Sequence, residues 1–324
     1  MCTAATYKTK DHYFGRNLDL AYSYQETVTV TPRNYSFNFR KAGRMGNHYA
    51  MIGMAYVVDD YPLYYDATNE KGLSVAGLNF PGNAVFSPEI PGKDNVAVFE
   101  LIPWILGQCT NVEEVGKLFE HINIWNESFK DEMPVAPLHW MISDRDKSIV
   151  VESVSDGLKI YDNPTGILTN NPPFDFQMYH LNNYMNVSPE EAVNRFSDAL
   201  DLKTYCLGMG GLGLPGDLSS ASRFVKAAFT KLNSVSGDSE SESISQFFHI
   251  LGSVDQQRGC VRIGDGDYET TVYTSCCNTD RGIYYYRTYE NSQISGVDMH
   301  RENLEDSRLV SYPLLQGQQI RMQN

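Results

Sequence analysis

CTAATYKTKDHYFGRNLD, residues 2–19, decides the fold. Short residues, a β-branched pair and aromatics flank a polar KTKD, so the stretch predicts two strands, Cys2 to about Tyr7 and about Tyr13 to Leu18, folded back on each other. Cys2 then lies at the end of the hairpin where Arg16 to Asp19 lie. It also follows Met1 directly. An aminopeptidase ordinarily removes methionine before a small residue, which would leave Cys2 with a free α-amino group beside its thiol. An α-amine has a pKa of about 7.7–8.0, so it can take the thiol proton and return one to a leaving amine. Nucleophile and base would share one residue.

Working outward, FGRNLD supplies two helpers. In the expected register Arg16 projects beside Cys2, where a fixed positive charge favours the thiolate, and Asp19 accepts hydrogen bonds from the new ammonium. A one-residue slip would turn Arg16 to the other face, and the bland alternative is a surface ion pair at a strand end. Acyl transfer also needs donors for an oxyanion. Asn79 in GLNFPG and Asn170 in LTNNPP stand at strand ends, where an amide can point into a pocket or merely cap a turn. Gly208, Gly210 and Gly213 match a dinucleotide fingerprint in form, but Leu-Pro-Gly interrupts the helix it requires and nucleotide binding is rejected. The helix start SSASRF brings Arg223 near that loop.

The bulk numbers restrict the function classes. With 324 residues, 42% of them hydrophobic, the chain has material for a substantial core. A net charge of -14 and the absence of a Lys/Arg run argue against nucleic acid and against an anionic membrane surface. No basic-then-apolar leader and no run of some 18 apolar residues occurs, so neither a signal peptide nor a membrane span is expected, and the location expected is the bacterial cytoplasm. Six scattered cysteines suit a reducing compartment better than a disulfide framework. The seven histidines show no metal-ligand spacing, and no metal site is expected.

Further strand patterns are YAMIGMAYVV, PLYYDAT, GLSVAGLNF, LHWMISD, SIVVESV turning into LKIYD, and TTVYTSCCN turning through TDRG into GIYYYRTYE. Helices are expected at VAVFELIPWILGQC, SASRFVKAAFTKLN and ISQFFHILGSV, and after capping boxes at Thr110 to Glu113 and Ser188 to Glu191, with Pro189 at the first helical position of the second. SVSGDSESES reads as an acidic serine-rich loop. Strands come first, helices intervene and strands return, which predicts an α+β layered sandwich over residues 1–324 as one domain.

Together the segments MCTAATYKTKDHYFGRNLDLAYSY, TPRNY, DDYPLYYDATNEKGLSVAGLNFPG, LHWMISD, GILTNNP, GLGLPGDLSSASRF, FFHIL, YTSCCN and GIYYYRTYEN resemble the choloylglycine hydrolase family, in particular its bile salt hydrolases. The resemblance covers nearly the whole chain. It implies a four-layer αββα sandwich of the N-terminal-nucleophile type, a homotetramer, no cofactor, and cleavage of the amide joining a bile acid to glycine or taurine. It gives the Cys2 thiolate the attack, Asn79 and a backbone N–H the oxyanion, and the Cys2 α-amine the proton transfers. Arg16 and Asp19 would tune and orient Cys2, Asn170 would fix the amine or the substrate's polar groups, and Arg223 would support the cluster. Leu18, Tyr65, Phe129 and Met133 match apolar pocket positions. Penicillin V acylases share the scaffold but tend to carry tyrosine where this chain has Asn79, which favours bile salts over penicillin V. A non-catalytic bile acid binder is the alternative of another class, and interception of the acyl-enzyme by an amino acid an alternative within the same one.

Overall fold

The computed structural model describes residues 1–264 and 266–324. The opening hairpin forms: β1, Cys2–Lys8, runs antiparallel to β2, His12–Leu20. Cys2 stands opposite Leu18 and Ala4 opposite Arg16. Since strand side chains alternate, Cys2, Arg16 and Leu18 share one face and Asp19 takes the other. Gly15 is required between them, because a Cβ there would fall 2.1 Å from the Ser275 carbonyl oxygen.

β1 is an inner strand. It pairs on its other side with Ile167–Leu168, while β2 pairs with Thr270–Asn278, so the chain's late strands rejoin the sheet begun by its first. Ile283–Thr288 and Ser295–Asp298 complete six antiparallel strands. Among the described residues the facing sheet has eight, in the order Gly157–Asp162, Ser148–Val154, Leu138–Ser143, Ser74–Asn79, Tyr61–Asn69, Met51–Val58, β3 (Thr27–Thr31) and Val310–Pro313.

Helices α1 (Leu101–Leu106) and α2 (Val112–Leu118) cover the outer face of the larger sheet. After a short α3 (Phe174–His180), α4 (Ser220–Asn233) and α5 (Glu240–Gly252) cover the smaller one. The result is the four-layer αββα sandwich. Period-two alternation divides the apolar residues between its cores: Ala76, Leu78 and Met141 face the other sheet, while Val75 and Ile142 face α1 with Leu101 and Trp104.

Several expected elements are displaced. The stretch read as one helix from Val96 begins as a strand, Asp94–Ala97, pairing in parallel with Ile122–Trp125, and only Leu101–Leu106 is α-helical. The capping box at Thr110 slips by one: Asn111 caps α2 by accepting from the Glu114 N–H, and Glu114 reaches back to Thr110. The acidic serine run is half helix, since Ser239 and Glu242 form a capping box that starts α5 at Glu240. No helix follows Ser188; its hydroxyl accepts from the Glu190 N–H in a local turn. From 185 to 219 only the single turn Met209–Gly211 is regular, and Phe196, Tyr205 and Leu207 stand 81%, 81% and 93% exposed. A capping signal has no helix to stabilise when the segment has no surface of its own chain to pack against.

Candidate active site

Cys2, 2% exposed, opens β1 at the seam between the two sheets. Its backbone N–H donates to Asn170 Oδ1 at 2.8 Å. The same oxygen accepts from Arg223 Nη2 at 2.8 Å, and Asn170 Nδ2 donates to the Asn79 carbonyl at 2.7 Å. One amide thus ties the head of β1, the end of Ser74–Asn79 and the first turn of α4. Asn170 is itself held, its N–H by Ser220 Oγ at 2.8 Å and its carbonyl by Gln177 Nε2 at 2.6 Å. Asn79 is half-buried, and its side-chain amide makes no hydrogen bond among the described residues.

Two buried guanidiniums approach Cys2 from opposite layers. Arg16 points between the sheets, where Nη1 donates to the carbonyls of Tyr65 at 3.0 Å and Gly77 at 2.5 Å, and Nη2 has no partner among the described residues. Arg223 comes from the helix side and donates through Nη1 to the Cys2 carbonyl and Thr3 Oγ1, both at 2.6 Å. The opposite faces of Arg16 and Asp19 on β2 explain this division: Asp19 faces Arg223, with Oδ2 3.8 Å from Nη1, and Thr271 Oγ1 donates to its other oxygen at 2.7 Å.

Sequence reading missed the carboxylate that faces Arg16. Asp66 lies buried on the Tyr61–Asn69 strand and accepts from the hydroxyls of Tyr273 at 2.8 Å and Tyr284 at 2.7 Å, and from Ser275 at 3.3 Å. Ser275 Oγ also receives the Arg16 N–H at 3.1 Å. The available signal was an acid amid the apolar alternation of PLYYDAT. Burial pushes the pKa of Asp66 up, opposed by Arg16 and the three hydroxyls; burial likewise raises Asp19, opposed by Arg223 and the α-ammonium. Burial lowers the pKa of Arg223 against Asp19, whereas that of Arg16 ends raised, because Cys2, Tyr273, Asp66 and Asp19 outweigh its desolvation. Two buried cations and two buried anions balance, a condition for holding either sign out of water.

A second missed pair stands behind the Asn79 end. His139, fully buried, faces Glu152 Oε1 through Nδ1 and the Thr169 carbonyl through Nε2, both at 2.9 Å, and stacks on Phe80 at 4.3 Å. It ties Thr169–Asn170 to Asn79–Phe80.

The apolar candidates divide. Leu18 pairs across from Cys2 and Tyr65 packs on the same core, its carbonyl holding Arg16. Phe129 sits against Tyr61 and Phe99, at 5.5 and 5.2 Å between ring centroids, and Met133 closes a tight turn with Lys130; neither belongs to the cluster around Cys2. All six cysteines are free, Cys276 and Cys277 buried side by side in one inner strand.

A cysteine heading an inner strand of a four-layer αββα sandwich, with two buried arginines and the Asn170 amide gathered on it, fits the N-terminal-nucleophile type of hydrolase. The chain belongs to the linear amide C–N hydrolases of the choloylglycine hydrolase family, whose family model matches residues 2–312. It is 57% identical over 97% of both chains to a bile salt hydrolase/transferase of Lactiplantibacillus plantarum, and 40% identical over 96% of both to one of Clostridium perfringens. The crystal structure of a conjugated bile acid hydrolase from Clostridium perfringens superposes with a TM-score of 0.93 at 38% identity over the whole of both chains. Penicillin V acylase from Agrobacterium tumefaciens, at 20% identity and a TM-score of 0.75 over 96% of this chain and 90% of its own, shares the fold.

Proposed function

We propose that this chain hydrolyses the amide bond of glycine- and taurine-conjugated bile salts through a Cys2 acyl-enzyme. The observation that carries the reading is the convergence on Cys2 of Asn170, Arg223 and the Arg16–Asp66 pair, read beside relatives whose names state bile salt or conjugated bile acid hydrolysis. Removal of Met1 frees the Cys2 amine, which stays in reach of Asn170 Oδ1, its partner as an amide. The thiolate attacks the amide carbonyl, and the unpaired Asn79 side chain supplies one donor to the oxyanion. The Cys2 amine protonates the leaving glycine or taurine, then draws a proton from the water that releases the bile acid. Arg16 supports the thiolate from the sheet side. Asp19 and Arg223 orient the head of β1 from the helix side. Leu18 and Tyr65 offer the steroid an apolar wall, and Phe129 and Met133, outside the cluster around Cys2, stand as further pocket candidates on their loop.

Residues 1–324 act as one domain, and four copies assemble through the exposed apolar arm at 185–219, whose Phe196, Tyr205 and Leu207 have no cover within the chain among the described residues. No helix of the described residues is long and apolar enough to cross a membrane. The deciding experiment is intact mass of the purified protein before and after incubation with glycocholate and taurocholate, with released amino acid assayed in the same tubes. Loss of Met1 with release of glycine or taurine is expected. Loss of Met1 with no release would overturn the substrate reading and direct the search to penicillin V and other acyl amides.

A further inference from the structure

His139 and Glu152, on the adjacent antiparallel strands Leu138–Ser143 and Ser148–Val154, are fully buried and take no part in the chemistry at Cys2. Each ring nitrogen of His139 faces an oxygen that accepts, Glu152 Oε1 on one side and the Thr169 carbonyl on the other. Satisfying both takes two ring protons, so the pair is an imidazolium against a carboxylate. The Phe174 N–H favours that form of Glu152 by reaching both of its oxygens, at 3.1 and 3.3 Å. A buried ion pair adds little net stability over an apolar filling of the same volume, so stability does not account for it. Position does. The ring lies within 5° of parallel to Phe80, which directly follows Asn79, and Thr169 directly precedes Asn170. Beyond Phe80 the chain is laced to the same segment, since Asn171 Nδ2 donates to the Pro81 carbonyl at 2.8 Å and Asn83 Nδ2 to Asn171 Oδ1 at 3.0 Å. The two amides differ in what else holds them. Asn170 keeps Ser220, Gln177 and Arg223, whereas the Asn79 side chain makes no hydrogen bond among the described residues and is aimed by its backbone.

Resting on the hydrolase reading above, we propose that His139, held by Glu152, is the positioning residue of the oxyanion donor: it fixes Phe80 against Thr169 and so sets where the Asn79 amide stands relative to the acyl carbon on Cys2. It acts through its hydrogen bonds and its stacking, since the pair is neutral as a whole. An oxyanion exists only beyond the ground state, so a displaced Asn79 amide lowers kcat and leaves KM nearly as it was. The thiolate is not touched by the displacement, because Asn170 has supports of its own beside Cys2.

The test compares two variants with the wild type on glycocholate, reading kcat and KM for glycine release, the melting temperature, and the rate at which iodoacetamide alkylates Cys2. That rate is followed by peptide mass, because Cys206 and Cys260 are exposed. Alkylation needs the thiolate and no oxyanion donor. Glu152→Gln keeps every tie around a neutral ring: the new amide donates to Nδ1, the Nε2–H still meets Thr169, and the amide oxygen still accepts from Phe174. It is expected to hold kcat within about threefold of the wild type. His139→Leu combined with Glu152→Leu fills the space without the ties. It is expected to lower kcat about 20-fold, with KM within about threefold, Cys2 alkylation within about twofold and the melting temperature within about three degrees. An unmoved kcat in the double variant overturns the positioning role. So does a fall in alkylation that matches the fall in kcat, which would make the pair a support of the fold around Cys2, and so does a loss of about tenfold in Glu152→Gln, which would place the effect in the charge. If the double variant does not fold, Phe80→Leu, which removes the stack alone, decides: a fall in kcat of about threefold or more with alkylation unmoved supports the role, and no fall overturns it. A wild type that releases no glycine overturns the hydrolase reading and the positioning role with it, whereas release with kcat unmoved in the double variant overturns the positioning role alone.

Discussion

The head of β1 and the arm at 185–219 are opposite solutions to the same solvent. Around Cys2, Arg16, Arg223, Asp19 and Asp66 are all 0–1% exposed and each is met by hydrogen bonds or a facing charge from another layer. On the arm, large apolar side chains face outward and the backbone turns without α-helix or strand, the single turn Met209–Gly211 apart. The contrast separates two sources of order. Chemistry needs groups fixed before substrate arrives, so the site is built where two sheets and a helix overdetermine each position. The arm lacks such a frame among the described residues.

The sharpest way to break this division is to remove the reacting atom and leave the frame. Cys2→Ser is expected to lower bile acid release on the order of a thousandfold or more, with the melting temperature unchanged within about two degrees, because an oxygen replaces a sulfur of similar shape. Near-normal turnover would remove the nucleophile from the argument. Asn79→Ala comes next, at on the order of 100-fold in kcat, if its free amide serves the oxyanion. Steady-state kinetics decide it, since a loss confined to KM would make Asn79 a binding residue.

Arg223→Leu strikes the frame instead. It leaves Asp19 and Asn170 Oδ1 buried without their cation, and uncompensated buried charge costs about 3–5 kcal/mol. Denaturant unfolding should show that loss, and Asp19→Asn added to it should restore part of the stability because the orphaned charge is gone. Additive losses would show that the two residues are not coupled.

The far end of the same hairpin tests how far burial governs titration. His12 is buried at the turn, and desolvation, opposed by Asp280 and Asp144, lowers its pKa to about 4 from an ordinary 6.5. The folded state therefore prefers neutral imidazole, while the unfolded chain takes up a proton below 6.5. Stability present above pH 6.5 is lost as pH falls toward 4, by roughly 3 kcal/mol if no other group intervenes. His12→Gln should flatten the fall in unfolding free energy between pH 6.5 and 4. An unchanged slope would place the acid sensitivity in the carboxylates.

How much of this was legible follows the same division. CTAATYKTKDHYFGRNLD showed the hairpin but left its register open to a one-residue slip; the observed pairing of Cys2 with Leu18 is what puts Arg16 on the face of Cys2. Asn170 and Arg223 were visible through family resemblance, not through spacing, since 168 and 221 residues separate them from Cys2. Asp66, His139 and Glu152 were hidden because their partners lie in other strands, and alternation shows only that a polar residue points inward. Ser188-Pro-Glu-Glu misled because local capping signals count only where an amphipathic face has something to cover.

That last error frames the smallest expected effect. If the arm is ordered by a second copy, replacing its most exposed leucine by a charge should break assembly while the site, built from other elements, keeps working. Leu207→Glu is expected to shift the protein toward smaller species in light scattering, with turnover per Cys2 held within about threefold. The change adds a carboxylate where the leucine is 93% exposed, so the monomer itself meets no desolvation cost. A lost oligomer with intact turnover would make the arm an assembly element separate from catalysis. An unchanged oligomer would leave the exposed apolar residues without a partner. A large loss of turnover on dissociation would join the two regions, for α4, which carries Arg223 to the Cys2 carbonyl, begins at Ser220, directly where the arm ends.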